Sequence, residues 1–454
     1  MRIVLVKPCW RYPIAGADHT YNRRWPPLEL LNCAAILEAD RHQVRIVDAQ
    51  AEGLTPEQVA ARVAPKGHPA EMALVTSSAL DRWQCPSFHL EPVTAVVEQL
   101  RGRVGRLLLT GFHGTVQPRA MLEMTGVDAV VRGEPERTVE EVAAGRSWEE
   151  TPGLTFLDGG RVVSTPDRPP LEMTSLPVPA FHLVDIRRYR YEILGPRLMV
   201  LEGTRGCPYP CTFCSRVIQG RKVRRKTVAQ LGREVEVAVS QFGVRNIYFI
   251  DLEFTASPEL ARGISTYVLE RKISVRWCCQ TRADRVEEPL LRLMRRAGCR
   301  LIHFGIETGS VRIAEQIRKH VSLGRQRQAV DLAKRVGMET LCFFLLGHPG
   351  ETAEEMQQTI RLARQLNPTY ASFHRVSPYE GAALYEQAGG NSGELFPVFA
   401  GSPEDREKVD RLVRQALWSY YVRPPYMLSR LLHSSPISLW RQLRLFAGYF
   451  RREG

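Results

Sequence analysis

Three cysteines fall within one short stretch, Gly206-Cys207-Pro208-Tyr209-Pro210-Cys211-Thr212-Phe213-Cys214. Thiolates this close suit an iron–sulfur cluster or zinc. A structural zinc site wants a fourth Cys or His at paired spacing, and the next cysteines, Cys278 and Cys279, sit far along the chain on a predicted strand. A [4Fe–4S] cubane is served by three thiolates, which hold three irons and leave the fourth open to bind a ligand. The spacing therefore points to a cluster that does chemistry. The competing non-enzymatic reading is a basic, zinc-stabilised binding protein.

The other seven of the ten cysteines are too sparse in 454 residues for a disulfide scaffold. A reducing compartment fits them, and the cytoplasm is the expected location. Cys33 and Cys342 sit in apolar contexts as small core residues. Cys9, Cys33 and Cys85 are too scattered to hold a second cluster. No apolar run reaches the roughly 18–20 residues needed to span a bilayer, so no transmembrane segment is expected, and Ile3 to Val6 is too short for a signal peptide. The formal charge of +13 is concentrated in Arg216 to Lys226 and the last 45 residues. Such a surface could draw nucleic acid, an anionic membrane or an acidic carrier protein, but a solvated basic surface is its ordinary meaning. No sequence-reading motif is present, and no nucleic-acid partner is expected.

At this length two or three domains are expected. Residues 1–145 alternate short apolar runs with helical stretches. Strands are predicted at Arg2 to Lys7, Val44 to Val47, Ala73 to Thr76, Arg106 to Thr110 and Ala129 to Arg132, which is the grammar of a doubly wound, Rossmann-like parallel sheet. Ligands of such sheets lie outside the carboxyl ends of the strands. The relevant loops are Pro8 to Arg11, Thr76-Ser77-Ser78 to Leu80, Gly111-Phe112-His113-Gly114 and Arg132-Gly133-Glu134. Their small residues would let a large flat ligand approach the backbone, although small residues also serve ordinary turns. For His113, a solvated loop histidine is the competing reading.

Residues 146–196, interrupted by six prolines from Pro152 to Pro179, read as a linker. Residues 197–400 carry six βα units, a partial (β/α)6 barrel, and the cysteine stretch follows its first strand, at the face where such barrels keep their active sites. Residues 401–454 read as a helical C-terminal subdomain. Its Trp418, Tyr420 and Tyr421 are either pocket lining or helix-end packing.

The Cys-x3-Cys-x2-Cys spacing, with Phe213 before the third cysteine, resembles the radical S-adenosylmethionine superfamily. That resemblance implies that Cys207, Cys211 and Cys214 hold a [4Fe–4S] cluster whose open iron binds the amino and carboxylate groups of S-adenosylmethionine, and that an external low-potential donor of flavodoxin or ferredoxin type reduces it. Cleavage then gives methionine and a 5′-deoxyadenosyl radical. Asp251 and Glu253, in Phe249-Ile-Asp251-Leu-Glu253, resemble the acidic segment that meets the methionine amino group; a helix cap would place acids there too. Gln280 and Arg282 would reach the ribose or carboxylate. Glu307, in Phe304-Gly-Ile-Glu307-Thr-Gly309, would face the barrel mouth, and the backbone at Gly347 would meet adenine.

The doubly wound domain ahead of the barrel resembles the cobalamin-binding subclass, with Pro26-Pro-Leu-Glu29, Val131-Arg-Gly-Glu134-Pro-Glu136 and Ser377-Pro-Tyr-Glu-Gly381 fitting its pattern. Pro8, Thr76, Ser77, Ser78, Gly111, Phe112, His113, Gly133 and Glu134 would then line a cobalamin site. No Asp-x-His-x-x-Gly occurs, so a lower-axial histidine of that type is missing. The resemblance implies methylation of an unactivated carbon, or phosphorus, in a small-molecule biosynthetic intermediate. Its alternative is a cobalamin-linked rearrangement or oxidative cyclisation of the kind that anaerobic magnesium-protoporphyrin ester cyclases perform.

Overall fold

The computed structural model describes residues 1–10, 24–79, 89–377, 379–387, 402–433 and 439–440. Arg11, Leu80, Cys85 and Pro378, named above, lie outside the described residues, as does 388–401 at the predicted end of the barrel.

The first sheet is built from β1 (Arg2–Lys7), β2 (Gln43–Asp48), β3 (Met72–Thr76), β4 (Arg106–Thr110), β5 (Ala129–Val131), β6 (Leu154–Asp158) and β7 (Arg161–Ser164). Their spatial order is β2-β1-β3-β4-β5-β6-β7, with the first five parallel. Strand β3 is buried along its whole length, as a strand with helices on both faces must be. The order reverses between β1 and β3, and the crevice beyond their carboxyl ends is where such a sheet takes its ligand.

The expectation of an open linker at 146–196 is corrected. Strands β6 and β7 form a hairpin that extends the first sheet antiparallel, with Ala129 opposite Phe156 and Asp158 opposite Arg161. Gly159 and Gly160, at φ 52° and 79°, make the tight turn, which needs left-handed backbone at both positions. Five of the six prolines that suggested a linker cluster after Ser164, beyond the hairpin.

The second sheet comprises β8 (Leu198–Leu201), β9 (Asn246–Phe249), β10 (Arg276–Thr281), β11 (Cys299–Glu307), β12 (Glu339–Leu346) and β13 (Tyr370–Arg375), parallel and in chain order. Among the described residues β8 and β13 do not pair, so the barrel is open. Alternation along each strand serves two cores. Met199, Leu201, Ile247, Phe249, Trp277 and Phe304 pack toward the surrounding helices. Leu198, Val200, Tyr248, Ile250, Cys278 and Leu301 fill the interior with Trp25 and Tyr191. Both cores are buried, so both strand faces are apolar.

The helix Pro403–Tyr421 is capped by a reciprocal Ser402–Asp405 box and lies against β13. Tyr420 donates its hydroxyl to the Pro368 carbonyl, and Tyr421 bonds both the N–H and the carbonyl of Ala371. Packing is therefore the role of this pair.

Candidate active site

The cysteine loop leaves β8 and returns through a two-residue ribbon in which Thr204 pairs with Arg225 and Arg205 with Arg224. Gly206 turns the chain at φ 96°, and a Cβ there would sit 2.2 Å from the Lys222 carbonyl oxygen, so the position requires glycine. Further bonds hold the loop on both sides: Cys207 N–H to Gly220 O, Thr212 N–H to Ile317 O, and Leu384 N–H to Thr212 O. Ser215 Oγ donates to Glu380 O at 2.8 Å.

The three thiols sit close enough to feel one another's charge. Burial pushes Cys214 up to about 12, with Cys207 and Cys211 adding to the shift and Arg216 and Lys319 opposing it. Burial also raises Cys207. Arg282 lies 3.9 Å from Cys211 Sγ, 3.8 Å over the Tyr209 ring, and donates to Lys319 O. Three cations thus surround the thiols, an arrangement that fits an anionic thiolate-bound cluster. Among the described residues no three His, Cys, Asp or Glu side chains are arranged to hold a single metal ion. A cubane needs no such convergence, because each thiolate takes its own iron.

The two acids after β9 are engaged with the protein. Asp251 accepts from Gly203 N–H at 3.1 Å, Thr204 N–H at 2.5 Å and Thr204 Oγ1 at 2.7 Å, pinning the start of the cysteine loop. Burial raises its carboxyl to about 6. Glu253 caps the turn Phe254–Ala256 and accepts from Thr281 Oγ1 and Arg282 N–H, both at 2.6 Å. Both carboxylates organise the cysteine loop and the end of β10, so the cap reading holds for Glu253. Gln280 bonds the Leu252 carbonyl at 3.4 Å. Glu307 has φ 71° and pairs with Lys319 at 3.0 Å. A Cβ on Gly305 would lie 2.3 Å from that carboxylate, so glycine makes its room.

At the end of β12, Gly347 at φ 83° begins a tight turn whose Gly347 and His348 N–H groups donate to Glu351 at 2.6 and 2.9 Å. His348 is buried, its ring edge-on to Phe213 at 6.3 Å, and neither ring nitrogen has a hydrogen-bond partner. Burial lowers it to about 3, so the imidazole is neutral. An orphaned polar ring beside the cysteine loop fits a site that receives a polar ligand. Sequence reasoning stopped at Gly347 and missed His348 and Glu351; the Gly-His-Pro-Gly-Glu run was the available signal.

In the first domain, Ser77 Oγ, Ser78 Oγ and Thr110 Oγ1 are buried with no hydrogen-bond partner, at the carboxyl ends of β3 and β4. Gly111, φ 112°, lets these two loops meet: a Cβ would lie 2.6 Å from Ser77 Oγ and 2.7 Å from Ser78 Oγ. Unsatisfied hydroxyls in the switch-point crevice fit a polar-edged ligand such as a corrinoid. Gly133 is open on its Cβ side, Pro8 is buried at the end of β1, and Thr76 Oγ1 donates to Glu29. His113 is buried, not solvated, with Phe112 edge-on to it. Glu134 is engaged with the protein: Arg205, Arg224 and the Leu171 N–H donate to it.

Two links join the crevice to the cysteine loop. Phe112 meets Tyr379 edge-on at 6.2 Å, and Gln117 bonds the carboxyl of Glu380, whose carbonyl is held by Ser215. The carboxyl ends of both sheets therefore face one another.

This architecture defines a class, and family models name its two parts. Residues 201–363 match the Radical SAM superfamily and residues 16–143 match the B12 binding domain. The chain is a radical S-adenosylmethionine enzyme with an N-terminal B12-binding domain, and both domains fit the cluster, S-adenosylmethionine and cobalamin. It is 29% identical to an uncharacterized methyltransferase of Pyrococcus horikoshii, covering 98% of this chain and 97% of that protein. It is 27% identical to the anaerobic magnesium-protoporphyrin IX monomethyl ester cyclase of Rubrivivax gelatinosus, over 91% of this chain and 76% of the relative. The solved radical S-adenosylmethionine methyltransferase TsrM of Kitasatospora setae, with cobalamin and a [4Fe–4S] cluster bound, superposes with a TM-score of 0.69 at 19% identity, over 86% of this chain and 75% of that one.

Proposed function

We propose that this chain methylates an unactivated carbon, or phosphorus, of a small-molecule biosynthetic intermediate. The observation that carries the reading is the end-to-end likeness to a methyltransferase, together with two cofactor crevices that face each other. When bound, the cluster, S-adenosylmethionine and cobalamin supply one-electron bond cleavage and a transferable methyl group.

The chain's own residues do the rest. Cys207, Cys211 and Cys214 hold the cluster, and Arg216, Arg282 and Lys319 offset its negative charge. Phe213, His348 and the Gly347 turn form the wall for S-adenosylmethionine, with Gln280, Arg282 and the Glu307–Lys319 pair at the barrel mouth. Asp251 and Glu253 position this wall through the backbone. Ser77, Ser78, Thr110 and Gly111 receive cobalamin. The apolar barrel interior below excludes water from a radical. A flavodoxin- or ferredoxin-type donor in the cytoplasm supplies the electron.

Anaerobic incubation with methyl-labelled S-adenosylmethionine and extracts of the source cells tests the reaction. Label in a new small molecule is expected. A consumed small molecule, with 5′-deoxyadenosine formed and no label in its product, would indicate rearrangement or cyclisation instead.

A further inference from the structure

The basic segment Arg216 to Lys226 holds six cations, and three of them are answered by acids. Arg224 lies 2.8 Å from Glu134, Arg225 3.3 Å from Glu259 and Lys226 2.7 Å from Glu234. Arg216 donates to the carbonyls of Cys207 and Tyr209, which are neutral. Arg221 and Lys222 are exposed, and among the described residues neither side chain has a hydrogen bond or ion pair.

These unanswered cations border the cysteine loop. The Gly220 carbonyl takes the Cys207 N–H, and the Lys222 carbonyl oxygen lies 2.2 Å from where a Gly206 Cβ would stand. On the other side of the loop Arg318, likewise exposed and unpaired, follows Ile317, whose carbonyl takes the Thr212 N–H at 3.1 Å. Arg285 donates to the Tyr209 hydroxyl. Between them the turn carries an exposed Pro208 and a partly exposed Cys207, whereas Cys211 is buried.

An electron has to enter this loop from outside, and transfer slows steeply with distance, so a donor must seat where a cysteine nears the surface. Cys207 is that place. Charge complementarity then selects a partner with a negative face. Nucleic acid would need an open ring on which to stack bases, and the Tyr209 ring is covered by Arg282 at 3.8 Å and Arg285 at 5.4 Å. A second copy of the chain would set cation against cation.

We infer that Arg221, Lys222 and Arg318 form the docking surface for an acidic one-electron carrier protein. The inference rests on the cluster assignment: the carrier is oxidised by one electron, the cluster held by the three cysteines is reduced by one, and no proton or group moves. Redox encounters of this kind bury little surface, so charge at the rim governs their rate and affinity.

The test uses the full chain after anaerobic reconstitution, with reduced flavodoxin and reduced ferredoxin as the carriers and dithionite as a small reductant. Affinity for a carrier, from calorimetry, and the 5′-deoxyadenosine release that it drives should both fall about tenfold in Arg221→Glu/Lys222→Glu, and further when Arg318→Glu is added. Added salt should weaken wild-type binding. Release driven by dithionite, and about four irons per chain, should stay as in wild type. Arg45→Glu/Lys66→Glu, exposed toward the amino ends of the first sheet, makes the same change in net charge as the first pair and should alter neither value. Equal losses with dithionite, equal losses in that control, or carriers that bind wild type and variants alike or not at all would overturn the inference. A wild type that binds a carrier but releases no 5′-deoxyadenosine even with dithionite would instead refute the cluster assignment, and the affinities would still decide the docking surface.

Discussion

The guanidinium of Arg205 lies 2.7 Å from a carboxylate oxygen of Glu136, and both side chains are fully buried. Arg205 stands two residues before Cys207, and Glu136 opens the helix after β5 of the other sheet. Arg205 also binds Glu202 at 2.5 Å and Glu134 at 3.1 Å, while Arg224 holds Glu134 from the loop's returning side at 2.8 Å. The neighbouring carboxylates hold the arginine firmly charged despite its burial. One network thus clamps both ends of the cysteine loop to the B12-binding domain.

Removing the arginine leaves three buried carboxylates facing one another. Arg205→Met should cost roughly 3–5 kcal/mol of stability, whereas Glu136→Gln, which keeps a hydrogen-bond acceptor, should cost about 1–2 kcal/mol. In chemical denaturation the double variant should lose less than the sum of the two, because they share one network.

Gly206 and Gly220 separate strain from clash. Both have positive φ, but only at Gly206 does a Cβ strike backbone. Gly220→Ala should cost roughly 1 kcal/mol and keep about four irons per chain after anaerobic reconstitution. Gly206→Ala should displace the loop and lose most of the iron.

The strands were readable because each is a short apolar run between turn residues, as at Arg106 to Thr110, where expectation and structure share both ends. The cysteine stretch stood out because three thiols fall within eight residues of sequence, from Cys207 to Cys214. The network around Arg205 was not readable: Glu134 lies 71 residues away, and nothing local marks which acid meets which arginine. The acids at 251 and 253 stand just after β9, but composition cannot tell a carboxylate that faces a ligand from one that caps a turn. The hairpin β6–β7 was hidden by the prolines that follow it.

Glu351 carries a pH signature. Burial raises its carboxyl to about 7, so the folded chain binds its proton more tightly than the unfolded chain does. The resulting stabilisation is full below the ordinary carboxylate range and is lost as pH rises toward 7, at up to about 1.4 kcal/mol per pH unit for one proton. Glu351→Gln should flatten the fall in stability between about pH 4.5 and 7 relative to wild type, measured by denaturation at several pH values.

The two crevices should fail separately. Gly111→Ala drives a Cβ into Ser77 and Ser78; it should weaken cobalamin uptake, followed by visible absorbance, at least about tenfold and leave the iron content unchanged. His348→Ala should do the reverse, keeping both iron and cobalamin while raising the S-adenosylmethionine concentration for half-maximal cleavage about tenfold.

The central claim is that Cys207, Cys211 and Cys214 hold a cluster that cleaves S-adenosylmethionine. Anaerobic reconstitution with iron, sulfide, cobalamin and S-adenosylmethionine, followed by dithionite reduction, should give a brown protein with about four irons that releases 5′-deoxyadenosine. Replacing the three cysteines with alanine should abolish both. A colourless wild-type protein that carries one zinc and releases no 5′-deoxyadenosine would contradict the account.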